Sequence, residues 1–428
     1  MATAVLFLVA FVLLAIGVPV GISLGLGMVA VALGFQTTNL TFLAQSMYSG
    51  FESLPLTAIP AFMLAGAVME TGGLSKRLVN VANKLVGNTT GGLGTVTVIA
   101  CMFFGAISGS GPATVAAIGT IMIPYMMKAG YDRTYATGLS AVAGGLGIIV
   151  PPSIPLVIYG VATNTSIGDL FLAGIGPAFV VGGLLIVTNF FLSRKAGYLG
   201  DGSAFSMKEL FKAIWDAKWA LLMPLIILGG IYGGIFTPTE AAVVSIVYGI
   251  LIGIYGYKEL TWPQVWKMLV DNTSFVGGIM LTFAPAAALG AVLALLRVPR
   301  DLTNLLFSIS SNKIVILLIV NVFLVFVGML VDTTSANIIF SPILLAALKP
   351  YGVDPIHFGL MMTINLAIGF VTPPVAGNLF VASGMTGIPM GAIAKKALPF
   401  IIAMFLALII VTYLPITSLG LLRLLGRY

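Results

Sequence analysis

Gly105-Ala106-Ile107-Ser108-Gly109-Ser110-Gly111-Pro112-Ala113-Thr114 opens the deciding stretch of this chain, and Gly147-Ile148-Ile149-Val150-Pro151-Pro152 closes it. The residues between are apolar enough to lie in a bilayer. The two ends hold residues that a spanning helix avoids, because glycine is too free and proline lacks an N–H and clashes with the preceding turn. The pattern returns further on as Gly328-Met329-Leu330-Val331-Asp332-Thr333-Thr334-Ser335-Ala336-Asn337, followed by Gly369-Phe370-Val371-Thr372-Pro373-Pro374. The two stretches read as the halves of one buried ligand site.

The rest of the chain agrees with a membrane setting. Of 428 residues, 59% are hydrophobic and 8% are charged, against about 25% charged in soluble domains. The reading is an all-α polytopic membrane protein in contact with the lipid bilayer. Met1 to Gly17 has neither the basic start nor the small-residue cleavage site of a secretory leader, so a retained helix is expected there. The lone Cys101 excludes an internal disulfide and a cysteine metal cluster and is expected to be a packing residue. The net charge of +7 is assigned to cytoplasmic loops and gives no reason to expect nucleic acid as a partner.

Spans are expected at Met1–Ile16 and Val18–Phe35, then Leu54–Met69, with an interfacial piece over Thr37–Gly50. Leu74–Val86, with Lys76, Arg77 and Lys84, reads as a surface helix. Gly94–Ile107 and Ala113–Met127 are each about 22 Å long as helices, short of a hydrocarbon core of about 30 Å. A Ser/Gly/Pro tip joins them, so they are expected to form a re-entrant hairpin. Tyr135–Ile149 is a broken helix that resumes at Ile154, and Ile167–Leu192 spans. A polar stretch with Arg194, Lys195, Asp201, Lys208, Glu209, Lys212, Asp216 and Lys218 joins the halves.

The second half repeats the order. Trp219–Tyr232 and Ala241–Tyr255 are spans, Trp262–Val270 is interfacial and Phe275–Leu296 spans. Leu302–Ser310 is the second surface helix. Ile314–Val331 and Ile338–Leu348 form the second hairpin, Phe358–Ile368 is the second broken helix, and Ile388–Tyr413 spans. Subtraction supports the repeat: Gly105 and Gly328 lie 223 apart, while Asp132/Asp354, Gly147/Gly369, Pro151/Pro373, Pro152/Pro374 and Pro177/Pro399 all lie 222 apart. Repeats of this kind are a mark of secondary transporters.

Charge sets the expected threading. With Arg194 and Lys195 inside and each hairpin entering and leaving on one side, 14 of the 20 Lys and Arg residues fall inside and 6 outside, as the positive-inside rule asks. The repeats are then inverted, each with a re-entrant hairpin and a broken helix, and both termini lie on the far side of the membrane.

Non-helical backbone at membrane depth is tolerated where it is buried in protein or lines a wet cavity. Each break frees carbonyls at the end of one half-helix and N–H groups at the start of the next. Carbonyls with the Ser108, Ser110 and Thr114 hydroxyls make a neutral oxygen nest that suits a monovalent cation such as Na+, since divalent ions generally ask for carboxylates. The repeat offers Thr333, Thr334 and Ser335, carbonyls near Gly369 and Thr372, and Asp332. The half-helix N-termini carry partial positive charge and favour an anion; they are expected after Pro112, Pro152, Ser335 and Pro374. The residues thus read as a Na+-coupled carrier of a small organic anion. Asp332 is a functional candidate by its membrane location, with a helix cap as its other role. Glu70 and Glu240 are expected as caps or interface contacts and His357 as structural.

The segments Phe236-Thr237-Pro238-Thr239-Glu240-Ala241-Ala242, Ser108-Gly109-Ser110-Gly111-Pro112-Ala113-Thr114 and Ile149-Val150-Pro151-Pro152-Ser153 together resemble the large membrane subunit of tripartite ATP-independent periplasmic (TRAP) transporters, over essentially the whole chain. The resemblance implies an ion-transporter-superfamily fold working as an elevator in the bacterial inner membrane, with at least two Na+ ions. It implies scaffold helices in 1–72, a first arm and transport half in 73–195, a linker and second scaffold helices in 196–272, and the second transport half with the C-terminal helices in 273–428. One Na+ would sit among Ser108, Ser110, Gly147, Val150 and Pro152, and a second among Gly328, Asp332, Thr334, Gly369 and Thr372. The substrate would meet Ser108, Pro112, Ser153, Asp332, Thr333, Ser335, Asn337 and Pro374. The implied partners are a soluble periplasmic substrate-binding protein, a small four-helix membrane subunit expected as a separate chain, and a small carboxylate substrate, with the sialic-acid branch looking closest. A stand-alone Na+/carboxylate symporter is the rival in mechanism. An intramembrane enzyme would need a nucleophile with its base or a metal cluster, which one His and one Cys do not supply.

Overall fold

A computed structural model describes residues 1–428 except 53, 201, 203, 204 and 428; Asp201 of the polar linker lies outside the described residues. The described secondary structure is helical. The first repeat begins with α1 (Ala2–Ala15), α2 (Val20–Phe35), α3 (Leu40–Phe51), α4 (Ala58–Thr71) and α5 (Leu74–Val86). The hairpin arms α6 (Gly92–Ser108) and α7 (Gly111–Lys128) follow. Next come α8 (Arg133–Ala143), the four-residue α9 (Leu146–Ile149), α10 (Ile154–Thr163) and the long α11 (Ile167–Ala196). The linker folds as α12 (Met207–Asp216). The second repeat has α13 (Lys218–Tyr232), α14 (Pro238–Leu251), α15 (Trp262–Leu295), α16 (Val298–Ile309), the arms α17 (Lys313–Leu330) and α18 (Thr333–Leu348), α19 (Pro355–Gly369), α20 (Gly377–Thr386), α21 (Met390–Tyr413) and α22 (Ile416–Leu424).

Among the described residues, six helices are long and apolar enough to cross a membrane, or eight if each of two bent pairs is one span. One of the six, Arg133–Thr163, is interrupted at Val150–Ser153 and is better described as a broken helix. The bend between α4 and α5 is 69°. It turns α5 away from the direction of α4, as its charged face requires. Arg77 donates to the Gly73 carbonyl at 2.8 Å and to the Glu259 carboxylate at 2.7 Å, and its guanidinium lies 3.6 Å from the Tyr257 ring centre.

The repeat is visible in matching local chemistry. Asp132 caps α8 by accepting the Tyr135 N–H at 2.8 Å, and Asp354 caps α19 by accepting the His357 N–H at 2.9 Å. Glu240 closes a capping box with Thr237 at the start of α14, as expected for a polar residue beside that turn.

The structure corrects several expected boundaries. Trp262–Val270 and Phe275–Leu296 are one continuous helix, α15. The polar run Asp271-Asn272-Thr273-Ser274 suggested a break, but it holds no proline. Asn272 donates to the Pro60 carbonyl and Thr273 to the Leu269 carbonyl, so these polar groups are satisfied without unwinding. In the first repeat the corresponding α3 and α4 stay separate, with Pro55 between them. The linker is also more ordered than its charge suggested. Lys208, Lys212 and Asp216 recur every four residues on α12, which leaves Leu210 and Ala213 to be buried. Lys84 on α5 pairs with Glu209 on α12.

Candidate site at two helix interruptions

The first hairpin turns tightly at its tip. Gly109 adopts a left-handed conformation (φ +59°), and Ser110 starts α7 by accepting the Ala113 N–H at 3.5 Å. Thr114 donates to the Ser110 carbonyl at 2.7 Å and lies 3.2 Å from the Ser108 hydroxyl, which accepts the Ser110 N–H at 3.4 Å. The expected helix start after Pro112 therefore moves back: Pro112 lies inside the first turn of α7.

This tip packs directly on the first broken helix. Ile154 donates its N–H to the Gly109 carbonyl at 3.3 Å. A methyl on Gly105 would fall 2.8 Å from the Gly147 Cα, and one on Gly147 would fall 2.3 Å from the Thr114 hydroxyl and 2.5 Å from the Ser110 carbonyl oxygen. The Pro152 carbonyl oxygen lies 3.2 Å from where a Gly109 methyl would be. Ser108, Ser110, Gly147 and Pro152 are thus brought together from two segments, with Val150 in the same break. Ser153 is buried; its hydroxyl donates to the Ile148 carbonyl at 2.5 Å and caps α10 at the Leu156 N–H. The oxygens gathered here come from hydroxyls and backbone carbonyls, none of which carries a charge.

The second interruption repeats the contact. A methyl on Gly369 would fall 2.5 Å from the Gly328 Cα and 2.7 Å from its carbonyl oxygen. Val375 donates its N–H to the Met329 carbonyl at 3.1 Å, and Thr372 donates to the Ile368 carbonyl at 2.7 Å. Asp332 is a helix cap: its Oδ1 accepts the N–H groups of Thr334 and Ser335, each at 3.0 Å. The helix starts at Thr333, so Ser335 lies in its first turn rather than before it. Thr333, Ser335 and Asn337 are buried, and Asn337 donates to the Thr333 carbonyl while its Oδ1 has no partner.

The two breaks differ in length and exposure. In the first, Pro151, Pro152 and Ser153 are buried and α10 resumes at once. In the second, α20 resumes at Gly377, beyond the expected start after Pro374, and Pro373, Pro374 and Asp332 are exposed. The hairpins differ too: α6 runs along α7, whereas α17 packs on α19 and scarcely touches α18.

The resumed half-helices cross over between repeats. α10 packs on α18 and α19 of the second repeat, and α20 packs on α7 and α8 of the first. The interruptions therefore belong to one interlocked body. Gly66 of α4 packs on Ser108, where an added methyl would fall 2.9 Å from the Ser108 Cα, and a 260 Å³ cavity opens beside that contact; it is lined by Gly66 and Glu70 of α4, Ser108, Ser110 and Ala113, and Asp271 and Asn272 of α15. A 480 Å³ cavity lies between α3, α15, the end of α10 and α18, with Gln45, Asn164, Ile338 and Pro342 in its walls.

Residues 7–417 match the family described as the DctM component of the tripartite ATP-independent periplasmic transporter. The chain belongs to the TRAP large permeases. Its relatives include the C4-dicarboxylate large permease DctM of Vibrio cholerae, 40% identical over 98% of this chain and 97% of that one. The sialic acid large permease SiaM of the same organism is 38% identical over 94% of each chain. The isethionate permease DctMQ of Oleidesulfovibrio alaskensis is 42% identical over 94% of this chain, which spans 63% of that longer protein. Relatives named for three different acids thus stand at similar identity, and the sialic-acid branch is one of several. The crystal structure of the Alcanivorax borkumensis YdaH transporter shares the fold, with a TM-score of 0.64 over 90% of this chain and 89% of that one at 16% identity.

Several polar residues of this TRAP permease take their places from partners distant in the sequence. His357 sits in a buried polar line: its ring nitrogens face the Ser418 hydroxyl at 2.7 Å and the Thr412 carbonyl at 3.1 Å. Asn321 then donates to the Thr412 hydroxyl at 3.0 Å, and Asn365 to the Asn321 side-chain oxygen at 2.8 Å. His357 is thus structural, as expected. Glu70 is exposed to the smaller cavity near the end of α4 rather than capping a helix start. Asn378, buried in α20, was not singled out; a signal existed only in its place just after the second break.

Proposed function

We propose that this permease drives Na+-coupled uptake of a small organic anion, with one cation held at each interruption. The observation that carries the reading is the paired backbone contact, Gly105 on Gly147 and Gly328 on Gly369, at sequence offsets of 223 and 222 residues. Each contact gathers hydroxyls and carbonyls around a break. One Na+ would use Ser108, Ser110, Gly147, Val150 and Pro152. The other would use Gly328, Asp332, Thr334, Gly369 and Thr372. The anion would meet the half-helix starts with Ser108, Pro112, Ser153, Asp332, Thr333, Ser335, Asn337 and Pro374 around it. Cation and anion then neutralise each other where neither alone could leave water cheaply.

The interlocked hairpins and half-helices would move as one body against α1–α4 and α13–α15, carrying the site across the membrane as an elevator between inverted repeats. The substrates named for the relatives, dicarboxylate, sialic acid and isethionate, share a small anionic group, and this chain is assigned the same class. Its partners would be a small membrane subunit and a periplasmic binding protein, with both termini on the periplasmic side of the inner membrane.

Reconstitution in liposomes tests the proposal. Uptake of labelled acids is measured with the small subunit present, with and without the binding protein, under an inward Na+ gradient or with choline in its place. The expected result is uptake that needs both the gradient and the binding protein. Uptake by the chain without a binding protein would favour the stand-alone symporter.

A further inference from the structure

Asn378 touches three pieces of the interlocked body at once. It stands in the first turn of α20, and its backbone N–H bonds the Phe370 carbonyl inside the second interruption at 3.0 Å. Its side-chain Nδ2 donates to the Ala141 carbonyl of α8 at 3.2 Å, across 237 residues of sequence. That carbonyl is open because the chain tightens there: the Gly145 N–H reaches back to Val142 instead of Ala141. The amide as a whole lies against the first hairpin, with Oδ1 its nearer atom. That oxygen lies 2.9 Å from where a methyl on Gly111 would be, is wholly buried, and has no hydrogen-bond partner.

An unpaired buried acceptor is unfavourable, so its position asks for a reason beyond local stability. Gly111 follows Ser110, whose hydroxyl and carbonyl belong to the first nest. Phe370 lies between Gly369 and Thr372 of the second. One residue therefore stands between the two candidate cation sites: its backbone N–H holds the second interruption at Phe370, while its side chain is fixed on Ala141 and packs against Gly111 of the first tip. Any shift of Phe370 would be passed to Asn378 through this hydrogen bond, and Asn378 bears on the hairpin tip.

We propose that Asn378 is a positioning residue that makes the two interruptions bind their cations together. The inference rests on the sodium reading given above and adds cooperativity to it. Without the amide, each break closes independently. Such linkage between sites typically changes an affinity by about 5-fold to 150-fold.

The test uses the purified chain and sodium chloride titrated against choline chloride at constant ionic strength, with isothermal titration calorimetry at fixed temperature as the readout of sodium occupancy and melting temperatures recorded beside it. The wild type is expected to respond steeply, with a Hill coefficient above one. Asn378→Ala is expected to lower that coefficient to about one and to raise the half-saturating Na+ by roughly 5-fold or more. Asn378→Asp should do the same, because it sets a second acceptor against the Ala141 carbonyl. Gly111→Ala reaches the same contact from the other side: its methyl displaces only the end of the Asn378 side chain, so it serves if the Asn378 variants do not fold. A merely structural role predicts lower melting temperatures without sodium but an unchanged steepness, and that result would overturn the proposal. A wild type with no response to Na+ would instead overturn the sodium reading itself.

Discussion

Gly369 and Gly328 are in backbone contact: a methyl built on Gly369 would fall 2.3 Å from the Gly328 carbonyl carbon. Gly147 is as tightly enclosed by Ser110 and Thr114. Overpacking of such contacts costs about 1–3 kcal/mol. Gly369→Ala and Gly147→Ala should each lower stability by that amount and reduce uptake. Gly229→Ala, at a helical glycine with open space around it, should keep or slightly raise the melting temperature. Thermal unfolding of the three purified variants checks the contrast.

Asp332 caps α18, and its charge is proposed to have a separable role at the second cation site. Removing a cap costs about 1 kcal/mol, but Asn caps as well as Asp. Asp332→Asn should therefore keep the melting temperature of the wild type while losing most of the uptake. Asp332→Ala should lose both. If Asp332→Asn transports normally, the carboxylate is only a cap.

Ser108 and Ser110 hold the first tip through their hydroxyls. Ser108→Ala and Ser110→Ala should each raise the Na+ concentration for half-maximal uptake by roughly 3-fold to 10-fold, the scale of one lost polar contact. The measurement is a sodium titration of uptake at fixed substrate. A change in substrate affinity alone, with the sodium curve unmoved, would remove these hydroxyls from the cation site.

Much of this arrangement was legible in the residues. Gly105 and Gly328 and the two Pro-Pro pairs are local signals, because glycine and proline act on their own few neighbours. Their near-constant offset carried the repeat. What was hidden is non-local. The continuity of α15 depends on Asn272 finding the Pro60 carbonyl. The crossing of α10 and α20 between repeats depends on packing that no single segment encodes. Asn378 reads as an ordinary polar residue until Ala141 and Gly111 are seen beside it. The longer and more exposed second break was masked for the opposite reason: Pro373-Pro374 copies Pro151-Pro152 in sequence, while the backbone after it takes a left-handed turn at Ala376 (φ +47°) before α20 begins.

The central claim is that both interruptions hold Na+. Its most direct test is the melting temperature of the purified chain in sodium chloride against choline chloride at equal ionic strength, for the wild type, Ser108→Ala and Thr372→Ala. A ligand that binds only the folded state raises stability with its concentration. The account predicts a rise that sets in near the dissociation constant and then continues with the logarithm of the sodium concentration, and that each substitution shifts to higher sodium on its own. Identical melting curves in sodium and choline would contradict it.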